Sequence, residues 1–493
     1  MLDIGKKIIR KINKVFFDKQ DIRGVILKNF IWLFVGNAGS RFLKAVITIY
    51  AARKLGVEGY GIFSYALGLA GFFIFFKNIG VDAILTREMV KNPEEKHKYF
   101  FTAFLIEIVL LIITAFLVIF IAPLFSKMTS AVILLPFVAF MLIFDDLIGL
   151  FSAFFRGIEK MELESIINIA TNIAIVFFGF LALYLFATPM AFVIGYMLAS
   201  ATGMILAIVL VGNYTRFSFE NFNRNFIIPI LRSAWPFAIS GLAGMFFFNV
   251  DVILMGWWRT TSEIGLYAAA QKLSGILNLG ITLIGISIFP ILSRFANDKN
   301  REKMKFLMEN VMRLAFFITI PLIIGGVILR NQLMIFIFGM EYASADGAFA
   351  ILLFSIAAIY PFTILNNFVF AYNKHLRMVR YSLASSICNL TLGFLLIPKY
   401  GMIGASLAMV ASNFIYLSLL WRFSKKINNF YVFSGIYKIF IAALFMGIIT
   451  FILNNGGLHV IINILISGLL YIFILHWLKE KFLEELWLLI KFK

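Results

Sequence analysis

The sequence predicts an all-α polytopic membrane protein: about 14 transmembrane helices, two pseudo-symmetric six-helix bundles around a central cleft, and two further helices at the C-terminal end. Three observations predict it. Hydrophobic residues make up 62% of the 493 and charged residues 14%, with a mean hydropathy of +0.95; a soluble domain is roughly half apolar and a quarter charged. Apolar runs of about twenty residues follow one another from end to end, the length that crosses a hydrocarbon core as a helix, whereas a barrel would show short alternating segments. A faint internal repeat then suggests that one unit of six spans occurs twice.

The chain opens with a basic tail, 1–28, in which Ile4, Ile8, Ile12 and Val15 share a helical face against Lys6, Lys7, Arg10 and Lys14. It reads as an interfacial amphipathic helix or as a basic topology signal, and not as a cleavable signal peptide. Breaks at charge or at Pro and Gly place spans near 29–51, 59–80, 99–122, 131–153, 165–187 and 190–212, the first lobe. A cytoplasmic linker, 213–232, leads to a second lobe over 233–421, with spans near 233–257, 266–290, 307–329, 347–372, 382–398 and 402–421. Two extra helices, 438–455 and 459–478, lie in 422–478, and a cytoplasmic tail covers 479–493. Glycines and short turns blur the second, eleventh and twelfth spans.

The net charge of +19 would suggest nucleic acid as a partner of a soluble protein. Here the charges fall in the loops, where they set topology and meet anionic headgroups, so no nucleic-acid partner is expected. With the N-terminus inside, roughly 34 of the 44 Lys and Arg fall on the cytoplasmic side and about six outside, which places both termini in the cytoplasm of a cell-membrane protein. The lone cysteine, Cys388, implies no intramolecular disulfide.

The repeat keeps a similar offset in three places. Gly61–Leu69 (GIFSYALGL) resembles Gly265–Leu273 (GLYAAAQKL), 204 residues later; Lys98–Leu110 falls opposite Met304–Phe316, and Phe155–Asn172 opposite Tyr372–Asn389. An offset of six spans preserves orientation, so the repeat is parallel, and two facing lobes suit alternating access.

Polar residues inside the spans are the candidate site. On span 1, Asn37, Arg41, Lys44 and Thr48 share one helical face. A central Arg or Lys costs about 2.5–3.5 kcal/mol against lipid, so this stripe faces a watery cleft, a bound anion, or an ion partner on another span. In span 8, Gln271, Asn278 and Thr282 repeat the pattern with Gly275, and Lys272 lies beside it. Asn366 and Asn367 are central in span 10 and are further candidates for substrate contact. Asn168, Asn172 and Asn389 read as interhelical hydrogen-bonding groups.

The carboxylates Asp251 (span 7, with Ser240 and Gly244 on its face), Glu107 (span 3) and Asp145–Asp146 (span 4) are candidates for coupling or gating. Asp251 could equally pair with Arg41, Asp145 and Asp146 with Arg156 or Arg87, and Arg313 could reach cytoplasmic headgroups. No catalytic residue and no metal site is expected: there is no phosphate-binding G-x-x-x-x-G-K-[ST] run, and His97, His375, His459 and His476 match no ligand spacing.

A cationic stripe in a cleft suits a bulky amphipathic anion such as a lipid diphosphate, whose oxygens accept strongly from Arg and Lys. Unaided passage of such a headgroup is prohibitive, because its charge and sugars would lose water inside hydrocarbon. At this point the residues resemble a family. The stretches AARKLGVEGYGIFSYAL, TREMVKN, FRGIEKMELESIINIATNI, IGLYAAAQKL and IPKYGMIGASLAMVASN are similar to the polysaccharide transporter (Wzx-like) branch of the multidrug/oligosaccharidyl-lipid/polysaccharide exporter superfamily, over roughly residues 25–425, with Ile397–Ala405 the most recognisable piece.

The resemblance implies two six-helix bundles in a V and a flippase. It would move a polyprenyl-diphosphate-linked oligosaccharide to the outer leaflet for cell-surface polysaccharide or glycoprotein assembly. Arg41, Lys44 and Lys272 would build the cationic cavity. No cofactor is expected; drive would come from a proton or sodium gradient, the membrane potential, or consumption of the flipped lipid. Partners would be the lipid-linked glycan, membrane lipids, and glycan polymerase or transferase proteins. Two rivals remain: an ion-coupled exporter of organic cations, which Asp251 favours and Arg41 and Lys44 oppose, and a membrane glycosyltransferase or ligase. The second rival usually needs a long outside loop, and none here exceeds about twenty residues.

Overall fold

The computed structural model describes residues 22–73, 80–215, 217–235, 250–298, 300–431, 436–478 and 480. The basic N-terminal face, and Ser240 and Gly244 of span 7, lie outside the described residues. Helices account for nearly all of the rest. In chain order the main ones are α1 (Ile22–Phe73), α2 (Val81–Lys91), α3 (Lys96–Phe116), α4 (Leu135–Gly157), α5 (Met161–Leu185), α6 (Pro189–Gly212), α7 (Val250–Trp258) and α8 (Thr261–Leu277). They continue with α9 (Leu279–Asn297), α10 (Arg301–Ile328), α11 (Arg330–Phe338), α12 (Asp346–Ala371), α13 (His375–Ile427), α14 (Ile436–Asn455) and α15 (Val460–Trp477). Among the described residues nine helices are long and apolar enough to cross a membrane. The chain is a multi-pass membrane protein.

Two of these helices are broken where the sequence expects a turn. At 1.5 Å per residue, the 53-residue α13 would be ~80 Å long if straight, more than twice a ~30 Å hydrocarbon core. It breaks at Gly401, whose φ of 55° is the left-handed conformation that glycine adopts without strain, between the stretches expected as spans 11 and 12. The break orphans two carbonyls, and Arg259 satisfies them: its guanidinium donates to Ile397 O at 2.9 and 3.0 Å and to Pro398 O at 2.7 Å. Glu263 completes the clamp by accepting from the Met402 N–H at 2.8 Å. The most recognisable stretch of the sequence is therefore a bracketed turn. Likewise α1 breaks at Gly56, φ 67°, between the first two expected spans.

Expected span 8 comprises α8 and α9, which adjoin at Asn278; the pair is bent by 47° between Thr282 and Ser287, and Pro290 lies inside α9. The expected linker also differs from a free tether. Phe217 stacks edge-on against Phe100, Phe104 and Phe151, Tyr99 lies flat on Phe226 at 4.1 Å, and the Asn223 N–H donates to Thr102 Oγ1 at 3.2 Å. Aromatic residues thus dock 217–226 onto α3 and α4.

The chain divides into two compact units, Met1–Leu55 with Leu69–Gly241, and Gly56–Gly68 with Leu242–Lys493. In the first, small residues let helices approach closely. A Cβ on Gly203 of α6 would overlap the Thr171 hydroxyl of α5, and one on Gly195 would lie 2.7 Å from the Phe178 carbonyl oxygen. Gly36 of α1 meets Ser165 of α5, and Gly179 of α5 receives Ile47 of α1. Without a hydrophobic force between helices in lipid, such contact faces supply the packing.

In the second unit, residues 57–68 cross α7 and α8. A Cβ on Gly61 would overlap the Thr261 carbonyl oxygen, and one on Gly265 the Val57 carbonyl oxygen. Positions 57 and 61 stand 204 residues before 261 and 265, the offset of the sequence repeat. Repeat-related glycines therefore meet each other at one reciprocal crossing. At the C-terminal end, α14 and α15 pack on α10 through Ile439, Ala442, Met446, Tyr471 and Leu475. A buried trio, Thr450, Asn463 and Ser467, ties α14 to α15 by hydrogen bonds of 2.9–3.1 Å.

Candidate functional site

In the first unit, α1 presents Lys44 toward α4 and α6. Its ammonium lies 6.0 Å from the centre of the Tyr196 ring, and Tyr196 and Asp145 are its electrostatic partners. Asp145 Oδ1 also accepts from Ser200 Oγ at 2.6 Å. Tyr196 and Ser200 stand one turn apart on α6, so one helix face holds both the cation's partner and the anion's partner. Lys44 thus has polar neighbours in a stretch where lipid alone would disfavour it.

Other members of the expected stripe divide. Arg41 is exposed, and no described residue pairs with its guanidinium. Thr48 donates its hydroxyl to the Lys44 carbonyl one turn back. The Asn37 side chain lies outside the described residues. Glu107 is 3% exposed, and both it and Asp146 are engaged by neighbours. The arginines weighed as partners of Asp145 and Asp146 instead meet glutamates: Arg156 Nη1 lies 2.7 Å from Glu164 Oε1, and Arg87 Nη2 2.7 Å from Glu88. Arg313, expected at headgroups, has its guanidinium 3.8 Å from the buried Glu480.

In the second unit, Asp251 is fully buried, and both its oxygens accept hydrogen bonds from neutral donors. Tyr267 OH donates to Oδ2 at 2.8 Å and Asn389 Nδ2 to Oδ1 at 3.1 Å. The Asn389 Oδ1 is buried with no hydrogen-bond partner, so a lone pair beside the carboxylate is open to a cation or a proton donor. Met409 of α13 lies against this group, its sulfur 3.8 Å from Tyr267 OH and 4.0 Å from Gln271 Nε2. The structure thus gathers three helices, α7, α8 and α13, around one acid.

The polar face of span 8 is brought partly to that place. Gln271 reaches the Met409 sulfur, Lys272 has a partner of its own, and Asn278 ends α8 with its Oδ1 buried and unbonded. Asn366 Oδ1 accepts from Tyr416 OH at 2.8 Å, and Asn367 packs its amide against Gly285.

Sequence reasoning overlooked Tyr196, Ser200 and Tyr267. The signals were present: Tyr196 and Ser200 are four residues apart in an otherwise apolar helix, and Tyr267 extends the Gln271 face by one turn.

Known proteins share this arrangement of helices. A family model described as "Polysaccharide biosynthesis protein" matches residues 26–296, more than half the chain. The chain belongs to that family. A second model, MatE, matches residues 236–395, the part that contains Asp251 and Asn389.

Curated relatives of the family member include "Probable flippase AglR" of Haloferax volcanii, 23% identical over 470 residues, 92% of this chain and 96% of that protein. "Capsular polysaccharide biosynthesis protein CapF" of Staphylococcus aureus is 22% identical and covers 82% of this chain and 100% of its own length. Among solved structures, the lipid II flippase MurJ in an inward closed conformation superposes with a TM-score of 0.73 at 19% identity, over 90% of this chain and 98% of that one. That likeness shows a shared fold.

Proposed function

We propose that this chain is a transporter that moves a polyprenyl-diphosphate-linked oligosaccharide from the cytoplasmic to the outer leaflet by alternating access. The observation that carries this reading is Lys44, a cation kept at mid-helix by exchangeable partners, with the exposed Arg41 less than one turn away. Phosphoryl oxygens can take the place of the Tyr196 hydroxyl and the Asp145 carboxylate around such a cation, because both are ordinary lysine acceptors. In the second unit, Lys272, Gln271, Asn278, Asn366 and Asn367 would be further substrate-binding residues. The names of the curated relatives, a flippase and a capsular polysaccharide protein, support the same substrate class.

Asp251 would couple transport to a cation. A buried carboxylate between Tyr267 and Asn389 is costly to keep charged, and protonation or a monovalent cation relieves that cost. Asp145, Asp146 and Glu107 would gate. Both termini would be cytoplasmic, the two extra helices would follow lobes at 29–212 and 233–421, and glycan polymerases or transferases would act on the product.

The MatE match over the Asp251 region supports a second reading, export of organic cations. Purified protein in vesicles distinguishes the two. The flippase reading expects protein-dependent exposure of a lipid-diphosphate-oligosaccharide to an added glycosidase, and no ion-driven uptake of a cationic dye. Dye movement without headgroup exposure, across several lipids and ion gradients, would favour the exporter.

A further inference from the structure

Beside the Lys44 cluster the first unit carries an apolar groove of about 560 Å3 between α1 and α5. Leu43 and Tyr50 form one wall, and Val176, Phe177, Phe180 and Tyr184 the other. The volume falls in the range of small-ligand sites, about 300–1,000 Å3. Its α5 wall runs from Ile173 to Tyr184, which at 1.5 Å per residue is about 16 Å, roughly half of a hydrocarbon core. The two helices are fastened at both ends, which keeps the groove in shape. Ser40 Oγ donates to the Asn168 carbonyl at 3.4 Å at one end, and the Tyr50 and Phe180 rings meet at 4.2 Å toward the other.

We propose that this groove holds the isoprenoid tail of the transported lipid while its diphosphate is held at Lys44. The inference rests on the flippase reading above and adds the place where the tail lies. Its basis is continuity: Leu43 lines the groove and Lys44, the next residue, turns its ammonium toward Tyr196 and Asp145. One amphipathic molecule can therefore lay its apolar part on one side of α1 and its anionic part on the adjoining side, without either part entering an environment it disfavours. Apart from the Tyr50 and Tyr184 hydroxyls the lining is apolar, and its rings and branched aliphatic side chains suit a stiff, methyl-branched chain. Phe177 and Tyr184, 61% and 80% exposed, leave the groove open along its length, so a tail longer than the groove can continue into the bilayer.

The test uses the full chain in lipid nanodiscs with two photoreactive probes, a diazirine-bearing isoprenyl-diphosphate glycan and a phospholipid with the same diazirine on an acyl chain. The proposal expects the isoprenyl probe to label 173–184 at least severalfold more than the phospholipid probe, with excess unlabelled isoprenyl-diphosphate glycan removing that label. Val176→Trp, which fills the groove, should reduce both the label and the transport rate at least severalfold, while a tail-less glycan diphosphate still binds. Equal labelling by both probes would mean that bulk lipid occupies the groove and would overturn the proposal, as would an isoprenyl label confined to other helices. These outcomes leave the flippase reading standing if headgroup movement is intact. Absence of both headgroup movement and glycan-diphosphate binding in the wild type would instead sink the flippase reading itself.

Discussion

Asp251 shows how a charge-bearing residue is kept in an apolar setting. Its two hydrogen bonds come from neutral donors on two other helices, Tyr267 of α8 and Asn389 of α13. Hydrogen bonds to a charged group contribute about 1.5–3 kcal/mol each, so Tyr267→Phe should destabilise the wild type by about that much. In an Asp251→Asn background the same change should cost about 1 kcal/mol or less, the ordinary value for a neutral pair. Thermal unfolding of the four proteins in detergent gives the coupling directly. Equal effects in both backgrounds would mean that Asp251 is already neutral in the resting protein. Asp251 itself was legible from sequence, because an acid inside an apolar run stands out. Its partners were harder to see, since a tyrosine in a membrane helix is common and nothing local says which one turns inward.

At the scale of elements, glycine positions set how close the helices come. Gly61 and Gly265 meet where α8 crosses 57–68, and a Cβ on either would overlap a carbonyl oxygen of the other segment. Backbone cannot step aside as a flexible side chain can, so Gly61→Ala and Gly265→Ala should each lower the unfolding temperature by several degrees despite the better helix propensity of alanine. Gly275→Ala is the matched control. It lies in the same helix, a Cβ there meets nothing, and alanine should be neutral or stabilising by up to about 1 kcal/mol. If Gly265→Ala behaves like the control, the crossing is looser than the structure has it.

The repeat match at Gly61 and Gly265 was visible in the sequence, but periodicity has no term for contact between distant segments, and the reciprocal crossing was not. The bend in expected span 8 between Thr282 and Ser287 was missed for a related reason. The apolar run continues through it, and hydropathy alone does not register a backbone turn.

For the whole molecule, composition and the length of the apolar runs sufficed for the class, an all-helical multi-pass protein, because the bilayer leaves so few other solutions for the backbone. The breaks at Gly56 and Gly401 follow from glycine between apolar runs. The docking of 217–226 escaped notice, because a loop rich in Phe reads as apolar without saying what it covers. The stripe on α1 was legible as a pattern. What it pairs with was not: Lys44 finds Tyr196 and Asp145 about 100–150 positions away in the chain, whereas Arg41 stays exposed.

That difference in surroundings leads to the most direct measurement. Transbilayer movement of a lipid-diphosphate-oligosaccharide should be followed by glycosidase access in vesicles, with wild type beside Lys44→Gln, Lys44→Arg and Arg41→Gln. The account predicts at least a tenfold slower rate for Lys44→Gln and Arg41→Gln at unchanged folding, with Lys44→Arg restoring much of the loss because the charge is kept. Wild-type rates in all three variants would contradict it and make the cations of α1 structural.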